Sequence, residues 1–217
     1  MSFLRNNKYF LLPFLLYMIV GAYLNISYTQ KDLFFAINSH YSSPSDYFFR
    51  YYTNVGDGQF FIWVIVILAF FRYQYAIVAL VSWVMQGLIV QLMKQVIFSD
   101  HDRPWLALSA DPKIHLVHDF HPFVNNSFPS GHSATAFCMF AILSFMIPKK
   151  WFGLLFFILA LAVAYSRIYL VQHFFLDTYF GAIIGIACAL FSYIIFMPRL
   201  NTVWGHKNLI TLKPEDK

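Results

Sequence analysis

The chain has 217 residues, of which 59% are hydrophobic, 21% aromatic and only 12% charged. That charged share is about half the roughly 25% of a soluble domain, and together with a mean hydropathy of +0.59 it excludes a soluble globule, a collagen or coiled-coil fibre and a disordered chain. The 15 basic against 10 acidic residues give a net charge of +5, which in a polytopic membrane protein reports orientation through its distribution and carries no sign of nucleic-acid binding.

A membrane helix needs about 20 mostly apolar residues to cross about 30 Å of hydrocarbon. The first such run, Tyr9 to Gln30, follows Arg5 and Lys8; Gly21-Ala22-Tyr23 is a poor cleavage site, so an uncleaved signal anchor is expected. Residues 31–57 mix aromatics with Asp32, Asp46, Arg50 and Asp57, a composition suited to the membrane surface. Gly58 to Phe71 is long enough for a second span if its helix starts around Asn54, and Tyr73 to Met93 forms a third that ends at Lys94. Ser99 to Phe128 is polar, with three prolines, four histidines and four aspartates, and reads as an extramembrane loop, taken to about 129. Ser130 to Pro148, Trp151 to Leu170 and Phe174 to Met197 supply three further spans before a tail at 198–217. Cys138 and Cys188 lie inside apolar runs and read as buried thiols.

The expectation is a single all-α integral membrane domain over 1–217, a six-transmembrane-helix bundle. With six spans both termini share a side. That side carries Arg5, Lys8, Arg72, Lys149, Lys150, Arg199, Lys207, Lys213 and Lys217, against six basic residues and eight of the ten acids opposite. The excess marks the terminal side as cytoplasmic, and the polar loop and active site as outward-facing.

Ionisable residues at span ends are costly and usually functional, and on the outer side they form three groups. In Asn126-Ser-Phe-Pro-Ser-Gly-His-Ser133, Ser130 and Gly131 leave backbone amides open at a helix N-terminus, which suits a phosphate, and His132 adds a proton donor. In Ser166-Arg167, five residues, His173, three residues, Asp177, the i, i+4 spacing lets the carboxylate fix the His173 tautomer and free its other nitrogen for attack, while Arg167 offers a planar fork for phosphate oxygens. Lys94, eight residues and Arg103-Pro104 bracket the loop with two cations.

Together these resemble the signature of the type 2 phosphatidic acid phosphatase family, which shares its site with vanadium haloperoxidases. The first two groups match the family pattern without a gap. The third departs from it, since the family usually places six residues between lysine and arginine where this chain has eight. The resemblance runs over a motif core at 94–177 and implies that His173 is the nucleophile, Asp177 its orienting partner and His132 the acid and base. It implies that Lys94, Arg103, Ser130, Gly131 and Arg167 bind the phosphate, with no metal or other cofactor. The implied substrate and partner is a membrane lipid phosphate: phosphatidic acid, phosphatidylglycerophosphate, undecaprenyl diphosphate or a lipid A phosphate. The implied setting is a monomer in a bacterial inner membrane with the site facing the periplasm or exterior. A zinc or calcium site from His101, His118, His121, Asp100, Asp102 and Asp119 is the alternative for the loop, but these residues lack compact ligand spacing and read as solvated. A non-catalytic lipid-binding or lipid-translocating relative would tolerate loss of the histidines, aspartate and arginines that are all present here. A soluble haloperoxidase is disfavoured by the apolar spans, and a transporter by the lack of midplane charges and internal repeats. Gly181-x-x-x-Gly185 reads as an internal close-packing face.

Overall fold

The structure is a computed structural model that describes residues 2–118, 120–201 and 206–210; Asp119, Lys213 and Lys217, named above, lie outside the described residues. Those residues form α-helices with no strand: α1 (Ser2–Asn6), α2 (Lys8–Ser27), α3 (Gln30–Asn38), α4 (Ser43–Tyr52), α5 (Gly58–Phe71), α6 (Tyr73–Leu92), α7 (Pro104–Ala107), α8 (Gly131–Met146), α9 (Phe152–Tyr169) and α10 (Phe175–Arg199). A 3-10 turn, Thr53–Gly56, follows α4, and a π-turn, Met93–Ile97, extends α6.

Helices occupy all six segments expected to be spans. Four of them, α2, α6 with its π-turn, α9 and α10, are long and apolar enough to cross a membrane. A fifth candidate arises if α4, the 3-10 turn and α5 are taken as one span, bent by 58°. On its own α5 has 14 residues, because the Asp57 carboxylate accepts from the Gln59 amide at 3.2 Å and so starts the helix at Gly58, not at Asn54. α8 is apolar but 16 residues long. The third span outruns its expected end at Lys94, since the wider π-turn carries helical backbone to Ile97 and closes with the Phe98 amide on the Met93 carbonyl at 2.8 Å.

Residues 31–57 fold as a helical hairpin capped by Thr29 and Ser42. Tyr47, Phe48 and Tyr51 of α4 project outward and are at least half exposed.

The centre of the bundle is α8, buried almost throughout and packed against α10. The contact is backbone to backbone. A Cβ at Gly181 would lie 2.5 Å from the Ser130 carbonyl, and one at Gly185 2.3 Å from the Ala134 carbonyl. The Gly181/Gly185 pair thus serves packing within the chain. Outside this pair, α2 packs on α9 through Tyr17 and Phe157 and accepts the Tyr179 hydroxyl at the Met18 carbonyl, 3.0 Å. At one end of the bundle Lys150 donates to Asn7 Oδ1 at 3.4 Å, and the Tyr73 amide to the Lys207 carbonyl at 2.9 Å. The opposite end holds the close of α6 and α9, the starts of α8 and α10, and the 99–129 loop.

Candidate active site

His173 lies in the short break between α9 and α10. α9 ends in a tight reversal: the Val171 amide bonds the Ile168 carbonyl at 3.0 Å and the Gln172 amide the Arg167 carbonyl at 2.9 Å. Val171 takes a left-handed φ of 62°, which a β-branched residue rarely accepts. The strain falls two residues before His173, where the surrounding packing holds it. α10 then starts at Phe175, where the Asp177 carboxylate accepts the Phe174 amide at 2.9 Å.

The same oxygen of Asp177 serves two further groups. Oδ2 accepts from Ser127 Oγ at 2.5 Å and faces His173 Nδ1 at 3.4 Å. His173, 2% exposed, meets Arg103 on its other side, Nε2 to Nη1 at 3.4 Å. A guanidinium can only donate, so Nε2 presents its lone pair and the ring proton is on Nδ1, toward Asp177. Burial, then the positive charges of Arg103 and Lys94, hold the His173 imidazole neutral well below its ordinary titration range.

Arg103 and Lys94 converge despite the long spacer between them. Lys94 Nζ donates to the Asn126 carbonyl at 2.8 Å, and Arg103 Nη2 to the same oxygen at 3.4 Å. Arg103 also gives Nε to the Asn125 carbonyl at 2.8 Å and Nη1 to the Gln172 carbonyl and Oε1 at 3.0 and 3.1 Å. Arg167, 4% exposed, donates Nη1 to Thr53 Oγ1 at 2.7 Å, and its buried Nε has no hydrogen-bond partner. Ser130 caps α8, but its amide, expected to stand open for phosphate, is tied to the Asp177 carbonyl at 2.9 Å, which locks the two motif segments together.

Gly131 and His132 open α8 beside a groove of about 450 Å³ that is walled by Gly56, Trp83, Gln86 and Gly87 among others. A Cβ at Gly87 would meet nothing within 4 Å, so the groove is open there. All eight candidate residues therefore stand at one end of the bundle. Sequence reasoning missed Ser127, Asn125 and Asn126 of the loop, Thr53 of the turn after α4, and Gln172 of the break between α9 and α10. Asn126 and Ser127 had a signal as parts of the segment already singled out, and Gln172 as one of the five residues between Arg167 and His173.

Among the described residues no three His, Cys, Asp or Glu side chains gather as a metal site. His101 packs edge-on against Phe98, and the His118 carbonyl accepts from Arg50 Nη1 at 3.1 Å. His115 instead bonds Asp46 at 2.9 Å and stacks on Tyr41, joining the loop to the α3–α4 hairpin.

A family model described as the PAP2 superfamily matches residues 75–200, a stretch that contains all eight candidate residues. Among solved structures the chain is similar to LpxE of Aquifex aeolicus, with 27% identity and a TM-score of 0.68 over 77% of this chain and 97% of that one. It also shares its fold with a transmembrane PAP2-type phosphatidylglycerolphosphate phosphatase from Bacillus subtilis, with 24% identity and a TM-score of 0.55 over 84% and 94% of the two chains. Among curated proteins it is 32% identical over 108 residues to a putative undecaprenyl-diphosphatase, YbjG, of Escherichia coli (strain K12). That match covers 49% of this chain and 48% of the relative, so the chain spans about half the length of the curated protein it matches.

Proposed function

The chain belongs to the PAP2 superfamily, and on that premise we propose that it is a membrane lipid phosphatase that cleaves a phosphomonoester or diphosphate through a phosphohistidine intermediate. The observation that carries this reading is the disposition of His173: Nδ1 toward the Asp177 carboxylate, Nε2 toward the Arg103 guanidinium, with Lys94 sharing a carbonyl with that arginine. A phosphoryl group entering here meets a lone pair in line with positive charge.

In the first step His173 Nε2 attacks phosphorus, the bond from phosphorus to the lipid oxygen breaks, and His132 gives that oxygen a proton. In the second step His132 takes a proton from water, the water oxygen attacks phosphorus, and the phosphorus–nitrogen bond breaks to release orthophosphate. Lys94, Arg103, Arg167 and the amide at Gly131 hold the equatorial oxygens and the charge of the transition state, the Ser130 amide being taken by the Asp177 carbonyl. The leaving lipid is accommodated in the groove beside His132. No step needs a metal ion.

The substrate class is a phosphorylated membrane lipid such as phosphatidic acid, phosphatidylglycerophosphate, undecaprenyl diphosphate or a lipid A phosphate. The six helices span a bacterial inner membrane as a monomer, with the site on the periplasmic or outer face, in keeping with the basic residues at the other end. Purified in detergent with chelator present, the protein releases orthophosphate from at least one of these four lipids, and His173→Ala abolishes release with its melting temperature intact. Phosphate release from none of them, or full activity in His173→Ala, sinks the reading.

A further inference from the structure

Arg167 is the most enclosed cation of the site, and what holds it comes from outside the motif. Thr53 is 3% exposed and sits on the 3-10 turn after α4, ahead of the stretch matched by the family model. Because a guanidinium only donates, the Thr53 hydroxyl is the acceptor of the 2.7 Å bond from Arg167 Nη1. That bond fixes one arm of the fork and leaves the buried, unpartnered Nε to a phosphate oxygen.

The turn that carries Thr53 is pinned on either side of it. The Tyr52 hydroxyl donates to the Leu159 carbonyl of α9 at 2.9 Å. At Gly56 an added Cβ would lie 2.9 Å from the His132 carbonyl and 2.5 Å from Val163 Cγ1, so the turn is wedged against α8 and α9 at once. A segment seated this closely has one register, and the hydroxyl at its centre has one place to be.

We propose that Thr53 is a positioning residue for phosphate recognition: it orients the Arg167 fork, so that the helical hairpin ahead of the motif core completes the anion site. This rests on the phosphatase reading for the role of Arg167.

The test compares Thr53→Val, which keeps the shape but loses the acceptor, with Thr53→Ser, which keeps the hydroxyl. Thr53→Val lowers kcat/KM by roughly 10- to 100-fold, as expected for losing a bond to a charged group, and weakens inhibition by orthovanadate by a similar factor. Thr53→Ser stays within about threefold of the wild type. In an Arg167→Ala background, or Arg167→Gln if that folds better, Thr53→Val has no additional effect. Equal activity of the Val and Ser variants, or losses that multiply in the Arg167 background, overturns the proposal. Should the wild type release phosphate from no lipid, the phosphatase reading fails separately, and calorimetric binding of orthovanadate and orthophosphate decides: tenfold or more weaker in Thr53→Val than in Thr53→Ser supports positioning, and equal binding, or none, rejects it.

Discussion

Ser127 and Asp177 are joined by a 2.5 Å hydrogen bond across 50 residues of chain, and the carboxylate oxygen that accepts it is the one that faces His173 Nδ1. The hydroxyl therefore helps keep Asp177 aimed, although the Nδ1 contact itself is long at 3.4 Å. Asp177→Asn keeps the size and one acceptor oxygen but removes the negative charge that faces the His173 ring as Nε2 bonds phosphorus, and kcat/KM falls on the order of 10²- to 10⁴-fold. Ser127→Ala leaves the carboxylate in place and costs about tenfold. Steady-state rates on a lipid phosphate that emerges active from the four-lipid panel, with melting temperatures alongside, separate the two; equal rates in both variants contradict the arrangement.

Burial and the cations beside His173 lower its pKa, so the imidazole keeps its lone pair as pH falls through 6.5, the ordinary value. The acid limb that it imposes on kcat/KM lies below that pH. Arg103→Gln removes one of the cations that depress it, so the limb moves upward; the titration of the substrate phosphate is common to both profiles and drops out of their difference. The same depression acts on folding. An unfolded chain takes up this proton near pH 6.5 and the folded one does not, so its contribution to stability is complete above that pH and declines below it. A limb that is unmoved or shifted downward in Arg103→Gln contradicts the electrostatic origin.

The glycines of the site differ in what they permit. Gly185→Ala puts a Cβ 2.3 Å from the Ala134 carbonyl, where two backbones must part, and costs about 1–3 kcal/mol. Gly131→Ala meets only Val90 Cγ1 at 3.7 Å, an ordinary contact, and folds like the wild type. Thermal unfolding in detergent reads both, and a destabilised Gly131→Ala beside a neutral Gly185→Ala contradicts the packing described.

Sidedness is accessible through a single cysteine. Cys138 and Cys188 are buried and stay silent, whereas Phe123, on the loop and under the Arg103 guanidinium, is 68% exposed. Phe123→Cys reacts with a membrane-impermeant maleimide added to the outer face. Labelling only after the inner face is exposed reverses the orientation.

Much of the site was legible because it is written in local spacing. His173 and Asp177 are one turn apart, and Ser130, Gly131 and His132 are consecutive at a helix start, so chain order alone brings each set together. The partners of Arg103 were not legible, since they are chiefly backbone carbonyls of Asn125, Asn126 and Gln172, which any side chain could have carried. Thr53 was hidden for a different reason: it lies 114 residues from Arg167, and only the fold of the hairpin closes that distance. The helical segments followed from apolar runs, but their ends were set by caps and turns. Asp57 moved one start by a few residues, and the π-turn carried α6 past Lys94.

The bond from the Ser130 amide to the Asp177 carbonyl, backed by Gly181 against the Ser130 carbonyl, fastens the site end of the seam between α8 and α10 main chain to main chain. Proton donor and nucleophile are thereby held as two jaws of a vice with no adjustable screw. Any accommodation of lipids of different bulk falls to the other walls: the loop at Asn125 and Asn126, and the open flank at Gly87. Engineering a new substrate preference thus begins at those walls, and changes along the seam disable the enzyme before they retune it.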